Sequence, residues 1–494
     1  MAGGSTDRPN VLWIFSDELR ADALGCLGPG LGPVATPNID RLAASGTLFR
    51  NHFCNSPACV PARASILTAT HPQENGVHSN EAAWRSYPLP VRLDTFPEAF
   101  ARHGRRTATI GKSHVPRGYV PWQEENGEGG DMHIFGLDRD PASREPIVPD
   151  GIRSPVGGVF PDREFFPPEA VTINAIDWLD RAGDAPFLLR VSYLQPHTPV
   201  LPPARFRRLF RAEDFPGHDI PRADQSAYDD AFAAMVGGRR LTQAQMQRAQ
   251  ADYHALVTWL DVQVGLLLAK VALMGMRERT IVVFDSDHGA SLGENGLLSK
   301  VVFAPQSQRV PRIVSWPGTL PAGAVRDDLA QSLDLARTLC HLTGVPPSDS
   351  FRGRALFADP APDAIFASVG MGSPGARASS AANKGAWRTG AGWPRRGCVR
   401  TDRWRLDMNL RIDGTPPPPG EEDIFLADWR ADPHERRDLA ADPAHAAVRD
   451  DLAARLRDFA SRSVEPAFVP AYSADEVAEF APPRLGPPQE GARP

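Results

Sequence analysis

The chain has 494 residues, 54 lysines and arginines against 60 aspartates and glutamates, a formal net charge of −6 and a pI near 6.1. A nucleic-acid binder of this size is expected to be basic, so this balance speaks against that class. A hydrophobic fraction of 42% with 23% charged residues fits a globular protein, and the length suits a large α/β domain with a smaller companion.

The chain opens on Met1–Pro9, with no apolar stretch after its charges, so no secretory signal is expected there. Residues 10–16 then form a continuous apolar run, the pattern of a strand buried on both faces. Thr36-Pro37-Asn38 opens a helix through Ala44, with proline at an early position. Helices are also expected at 64–67, 92–103, 168–182, 242–276 and 334–343. Further buried strands are expected at 107–110, 187–194, 280–284 and 312–315. Strands alternating with helices predict an α/β fold around a large, mostly parallel sheet. Segments 116–161, 196–222 and 344–363 are rich in proline and glycine and read as loops, long enough in the first two cases to shape a pocket.

Past about residue 360 the texture changes. Residues 398–406 read as one strand, 416–420 as a turn, 424–426 as a short strand and 444–462 as an amphipathic helix. The expected organisation is a catalytic domain at 1–360, a smaller α+β unit at 361–480 and a proline-rich tail at 481–494. Contiguous apolar runs such as Val264–Ala269 are too short to span a bilayer, so no membrane segment is expected. The five cysteines form neither CxxC pairs nor a disulfide framework, which suits a reducing, cytoplasmic setting. Cys54 and Cys59 also lack the usual redox spacing. Only four lysines occur, at 112, 270, 300 and 384. Where arginine has taken nearly every basic position, a retained lysine points to a need for a compact, titratable ammonium.

Polar clusters follow the apolar strands. Asp17-Glu18 after the first strand suits either a cation site or a solvated turn. Cys59-Val60-Pro61-Ala62-Arg63 leads into a helix whose amino end favours anions; a buried structural cysteine reads equally well. Gly111-Lys112-Ser113-His114 can hold an anion and move a proton, or be a solvated loop. Asp285-Ser286-Asp287-His288-Gly289 offers oxygen and nitrogen ligands for a divalent cation, with Lys300 twelve residues past His288. His197 follows another strand end. In open α/β sheets the carboxyl ends of strands build sites, so these clusters are expected to meet in space.

In this order the clusters resemble the formylglycine-dependent sulfatase family of the alkaline phosphatase superfamily. Cys59, Pro61, Ala62 and Arg63 match its C-x-P-S/A-R motif, and residues 10–17 with 36–42 resemble its first strand and helix. Residues 111–114 resemble its G-K-x-H element, and residues 286–289 with Lys300 its S-D-N/H-G segment. Asp428 through Leu439 resembles its C-terminal D-x-x-x-D-P-x-E-x-x-N-L element. The chain departs in having Glu18 where a second aspartate is common, His288 where asparagine is common, and Leu67-Thr68-Ala69-Thr70 for the usual L-T-G-R.

The resemblance implies hydrolysis of a small-molecule sulfate ester, with a phosphodiester or phosphonate monoester as the alternative substrate. It implies a formylglycine made from Cys59 by a formylglycine-generating enzyme. It also implies a divalent metal, calcium before manganese or magnesium, held by Asp17, Glu18, Asp287, His288 and the residue-59 nucleophile. Arg63 would orient that nucleophile, and Lys112 and Lys300 would bind sulfate. His114 would act as base and His197 as acid, and Asn80 would reach the sulfate.

Overall fold

The computed structural model describes residues 8–465 apart from 29, 81–92, 116–118, 129, 131–143, 151, 153, 163–164, 375, 377–386 and 388–390. The expected tail at 481–494, Lys384 and much of the 116–161 loop lie outside the described residues.

Eight strands build the main sheet: β1 (Asn10–Asp17), β2 (Thr47–Phe49), β3 (Arg106–Gly111), β4 (Glu124–Asn126), β5 (Phe187–Pro196), β6 (Thr280–Ser286), β7 (Arg312–Ser315) and β8 (Ala324–Arg326). Their order is β8-β2-β7-β6-β1-β5-β3-β4. From β6 through β4 all pairings are parallel; β7 runs antiparallel to both of its neighbours. The expected architecture therefore holds.

Side chains alternate across β1, so its two faces feed two cores. Leu12 and Ile14 face α1 (Pro37–Ala44), α4 (Glu169–Asp180) and α6 (Gln243–Leu273). Val11, Trp13 and Phe15 face α2 (Cys59–Thr68), α3 (Phe96–Arg102) and α7 (Asp334–Thr343). A sheet covered on both sides explains the unbroken apolar runs. Helix α6 is long and apolar enough to cross a membrane by length and composition, more than its short contiguous runs suggested. Here it is a core helix with Trp259 and Leu260 against the sheet, and it buries Gln250, Asp252, His254 and Asp261, groups costly to place in lipid.

A second, antiparallel sheet comprises β9 (Ile365–Val369), β10 (Arg395–Arg400), β11 (Trp404–Arg411) and β12 (Phe425–Asp428), covered by α8 (Ala446–Ser461). The single strand expected at 398–406 is two strands joined by a turn at 401–403. Thr401 Oγ1 accepts the Trp404 N–H at 2.9 Å and closes that turn. Helix α5 (Ala227–Val236) follows the expected loop at 196–222 and was not among the expected helices; Ser226 caps it, accepting the Asp229 N–H at 3.1 Å.

Candidate active site

Strands β6, β1, β5 and β3 lie side by side and parallel, so their carboxyl ends share one edge of the sheet. Register pairs Ser16 with Ser286 and Gly111 with Ser192. The polar residues following each strand are thereby delivered to one place. The ends are stitched together: Ser16 Oγ donates to the Gln195 carbonyl at 2.8 Å and Ser286 Oγ to the Ser16 carbonyl at 3.1 Å. Gly111 turns the chain away with φ 90°, and a Cβ there would lie 2.2 Å from the Ser192 carbonyl oxygen.

Cys59 is the first residue of α2, five residues earlier than the helix expected at 64–67. Pro61 fits this first turn because its missing N–H would have no helical partner. The residue before the helix, Ala58, supplies no side-chain cap. Asn80 does so from a distance, its Oδ1 accepting the Val60 N–H at 3.0 Å. Asn80, expected at the sulfate, is thus held beside Cys59 as a helix cap.

The Cys59 sulfur is the convergence point. Lys300 Nζ donates to it at 2.8 Å, His288 Nε2 lies 3.2 Å away, and the thiol faces Asp17 Oδ1 at 3.5 Å. Asp17, Cys59, Asp287 and His288 present ligand atoms all within 4.8 Å of one another, each residue buried. Arg63 spans the two aspartates, with Nη2 2.8 Å from Asp17 Oδ2 and Nε 2.8 Å from Asp287 Oδ2. Lys112 Nζ reaches Asp17 Oδ2 at 2.7 Å. His288 Nδ1 lies 2.9 Å from the Gly289 carbonyl oxygen and donates to it, which turns Nε2 toward the cluster. A Cβ on Gly289 would lie 2.1 Å from the Gln306 carbonyl oxygen, so the tight bend after His288 requires glycine.

The protonation states follow from this packing. Burial and the Asp17 anion push the Cys59 thiol up, but Lys300, Lys112 and His288 outweigh them and hold it well below the ordinary thiol range. Burial also raises Asp17, yet Lys112, His197, Arg63 and Lys300 hold it well below the usual carboxylate range. Burial and the neighbouring Asp17 anion push Asp287 up to about 6. Burial lowers His288, but Asp287 and Cys59 carry it up to about 9. His114 is lowered by burial and by Lys112, so it rests neutral; neither ring nitrogen has a well-formed hydrogen bond, and the imidazole faces Cys59.

Each residue expected in the site comes to this edge, with one difference in grouping. Glu18 stands outside the four-donor cluster. Its Oε1 lies 2.9 Å from Lys300 Nζ, and its Oε2 lies 3.9 Å from Nε2 of His197. Asp285 turns away to Arg312 at 2.6 Å. Four contributors were not anticipated: Arg190, Ser192, Tyr253 and Ser299. Ser192 Oγ accepts from Arg63 Nη1 at 3.1 Å, and Arg190 donates to the Lys112 carbonyl at 3.0 Å. A signal was present for both, because an arginine and a serine inside an otherwise apolar buried strand demand a polar partner.

The comparisons with known proteins agree with this geometry. The multifunctional alkaline phosphatase superfamily protein of Trinickia caryophylli is 27% identical, covering 92% of this chain and 95% of its own. The arylsulfatase of Clostridium perfringens is also 27% identical, over 71% of this chain and 78% of its own. The crystal structure of the phosphonate monoester hydrolase of Agrobacterium radiobacter superposes with a TM-score of 0.72 at 23% identity, covering 92% of this chain and 96% of that one, and so shares the fold. The family model for sulfatases matches residues 9–345, the whole stretch from the first strand to the end of α7 and every residue of the buried cluster, and the chain belongs to the sulfatase family within the alkaline phosphatase superfamily.

Proposed function

We propose that this protein hydrolyses the sulfate ester of a small molecule, using a formylglycine formed from Cys59. The observation that carries this reading is the placement of the Cys59 sulfur at a helix amino terminus, 2.8 Å from Lys300 and 3.2 Å from His288. A bare thiol would give a sulfur–sulfur bonded intermediate with no ready exit. Oxidation of the Cys59 side chain to an aldehyde, by a formylglycine-generating enzyme that brings the oxidant and removes the sulfur, gives a centre that adds water. One hydroxyl of the hydrate attacks the ester sulfur, and the alcohol leaves with a proton. The second hydroxyl then loses its proton, the carbon–oxygen bond to sulfate breaks, and the aldehyde is restored.

The donor set supports a divalent cation held by Asp17, Asp287, His288 and the residue-59 oxygen. When bound, such an ion would acidify the attacking hydroxyl and neutralise ester oxygens. The carboxylate oxygens of Asp17 and Asp287 suit calcium first, with manganese or magnesium as the alternatives. Arg63 orients the nucleophile and both aspartates. Lys112 and Lys300 bind sulfate oxygens and steady the charge on the leaving oxygen. Neutral His114 takes the proton when the intermediate breaks down, and His197 supplies one to the leaving alcohol. Asn80 fixes the helix end and turns its amide toward the sulfate.

We also read residues 1–360 as the catalytic domain and 361–480 as a smaller unit, because the second sheet has its own core under α8, while its other face packs on the first unit through Ala367, Val369 and Cys398. Unpaired thiols at all five cysteines support a reducing, cytoplasmic location.

Two measurements test the reading. Mass spectrometry of the peptide spanning Cys59, from a host with the modifying enzyme, is expected to show a loss of about 18 Da. Parallel assays on an aryl sulfate, a phosphate diester and a phosphonate monoester are expected to give the highest kcat/KM on the sulfate. An unmodified cysteine in a protein that still turns over would remove formylglycine from the mechanism. A higher kcat/KM on the diester or phosphonate would replace the substrate class.

A further inference from the structure

Asp17 and Glu18 are adjacent acids, but their carboxylates part company. Asp17 turns toward Cys59 and Arg63. Glu18 adopts φ 60°, a left-handed conformation uncommon for a residue with a side chain. Its backbone is fixed at both ends. The Glu18 N–H donates to Asp287 Oδ1 at 3.2 Å, and its carbonyl accepts the Tyr253 hydroxyl at 2.6 Å. That hydroxyl in turn accepts the Arg20 N–H at 3.0 Å.

The turn sends the glutamate side chain along the rim of the cluster. Its Oε1 takes Lys300 Nζ at 2.9 Å and Ser299 Oγ at 3.1 Å, and Oε2 faces Nε2 of His197 at 3.9 Å. The residue is 3% exposed. Lys300 itself stands between Ser299 (φ 67°) and Val301 (φ 69°), so its backbone leaves the side chain little choice of direction. The extra methylene of glutamate over aspartate is what spans the gap to these groups.

Resting on the reading of the site as a sulfatase centre, we propose that Glu18 is a positioning residue for Lys300 and His197 and is not a ligand of the metal. Its carboxylate holds the ammonium and the imidazole on the side where the leaving oxygen departs. The metal set is then closed by Asp17, Asp287, His288 and the residue-59 nucleophile. The aspartate common at position 18 in the family is replaced here by a longer acid with a different task.

The test uses the purified, metal-loaded full chain. Glu18→Gln keeps the length and removes the charge; Glu18→Asp keeps the charge and removes the reach. Metal per chain is measured by elemental analysis after dialysis, alongside thermal melting and steady-state kinetics. Both variants are expected to retain wild-type metal content. In both, kcat is expected to fall about tenfold while KM stays within about twofold, because orientation is lost and binding charge is not. In a Lys300→Met background, Glu18→Gln is expected to add almost nothing, as contacting residues are non-additive.

Loss of metal in Glu18→Gln with retention in Glu18→Asp would make position 18 a ligand and overturn the proposal. An undiminished kcat in both variants, or full additivity with Lys300→Met, would overturn it too. The metal arm needs no turnover. If the wild-type protein fails to hydrolyse any sulfate ester, the functional reading falls while the metal content still decides whether Glu18 is a ligand.

Discussion

Two buried charge clusters, one at the edge of the main sheet and one in the C-terminal sheet, both pair aspartates and glutamates with arginine, but the first adds lysines and histidines to its Arg63. In the C-terminal cluster every cation is an arginine. Arg400 grips Glu435 with both terminal nitrogens at 2.5 and 3.1 Å, and donates through Nε to Gln308 at 2.7 Å. Arg405 bridges Glu435 at 2.7 Å and Asp407 at 2.8 Å, and Arg396 takes the other oxygen of Asp407 at 2.6 Å. These planar forks meet carboxylates edge to edge and satisfy one another. At the sheet edge, two of the chain's four lysines converge with His288 and His114 around one sulfur. Point-like cations leave room for a ligand, whereas forks fill their own geometry. The arginine cluster is a clasp, the lysine cluster a workplace.

The clasp gives the C-terminal motif a physical role. Glu435, the acid of the D-P-x-E element, holds Arg400, and Arg400 donates to the Phe303 carbonyl at 3.0 Å. The segment after Lys300 is thereby tied to the second sheet. Glu435→Gln leaves two buried guanidinium groups short of a countercharge, and breaking a buried pair costs about 3–5 kcal/mol. Chemical denaturation is expected to show that loss, while the folded fraction keeps its kcat. A variant as stable as wild type would abolish the distinction between the two clusters.

The distinction sharpens when the bases are exchanged. Lys300→Arg puts a fork where a single ammonium faces the Cys59 sulfur at 2.8 Å. It is expected to lower kcat/KM about 100-fold with stability changed by less than about 1 kcal/mol. Arg400→Lys is expected to do the reverse, costing about 2 kcal/mol of stability through its lost bidentate contacts with little change in kcat/KM. Kinetics and denaturation on the same two preparations read both effects. Equal losses of activity would mean that the choice of base carries no functional information.

Much of the working edge was legible because polar residues directly follow apolar runs at β1, β3, β5 and β6, and parallel pairing then puts those ends together. Contacts between elements distant in sequence were not legible. Nothing near Glu18 in the sequence announces Tyr253 or Ser299, which steer its backbone and side chain across 235 and 281 positions. The cap that Asn80 gives the Val60 N–H was not legible either, because that contact exists only after folding. The 398–406 segment read as one strand because the turn at 401–403 carries no glycine or proline to mark it. Arg400 and Arg405 are buried there by Glu435, an acid from a distant part of the chain. Short strands such as β2 and β8, three residues each, have too little length to show a period.

The smallest expected effect probes the acids that the clasp leaves over. Asp229, on α5, lies against this cluster, and burial together with the Asp407 anion pushes its carboxyl up to about 6, while Arg396 and Arg405 pull the other way. One of its oxygens, Oδ1, is buried without a hydrogen-bond partner. A carboxyl whose folded value exceeds its unfolded one, near 3.9, binds its proton more tightly in the folded state. Its favourable contribution is therefore complete below the unfolded value and is lost as pH rises through about 6. Asp229→Asn keeps the shape without the charge and removes that loss. The variant is expected to gain on the order of 2 kcal/mol over wild type at pH 8, with the gain vanishing by about pH 4. Melting curves across that range measure it. A constant difference at all pH values would show that Asp229 stays charged throughout, paired as fully as the acids gripped by arginine.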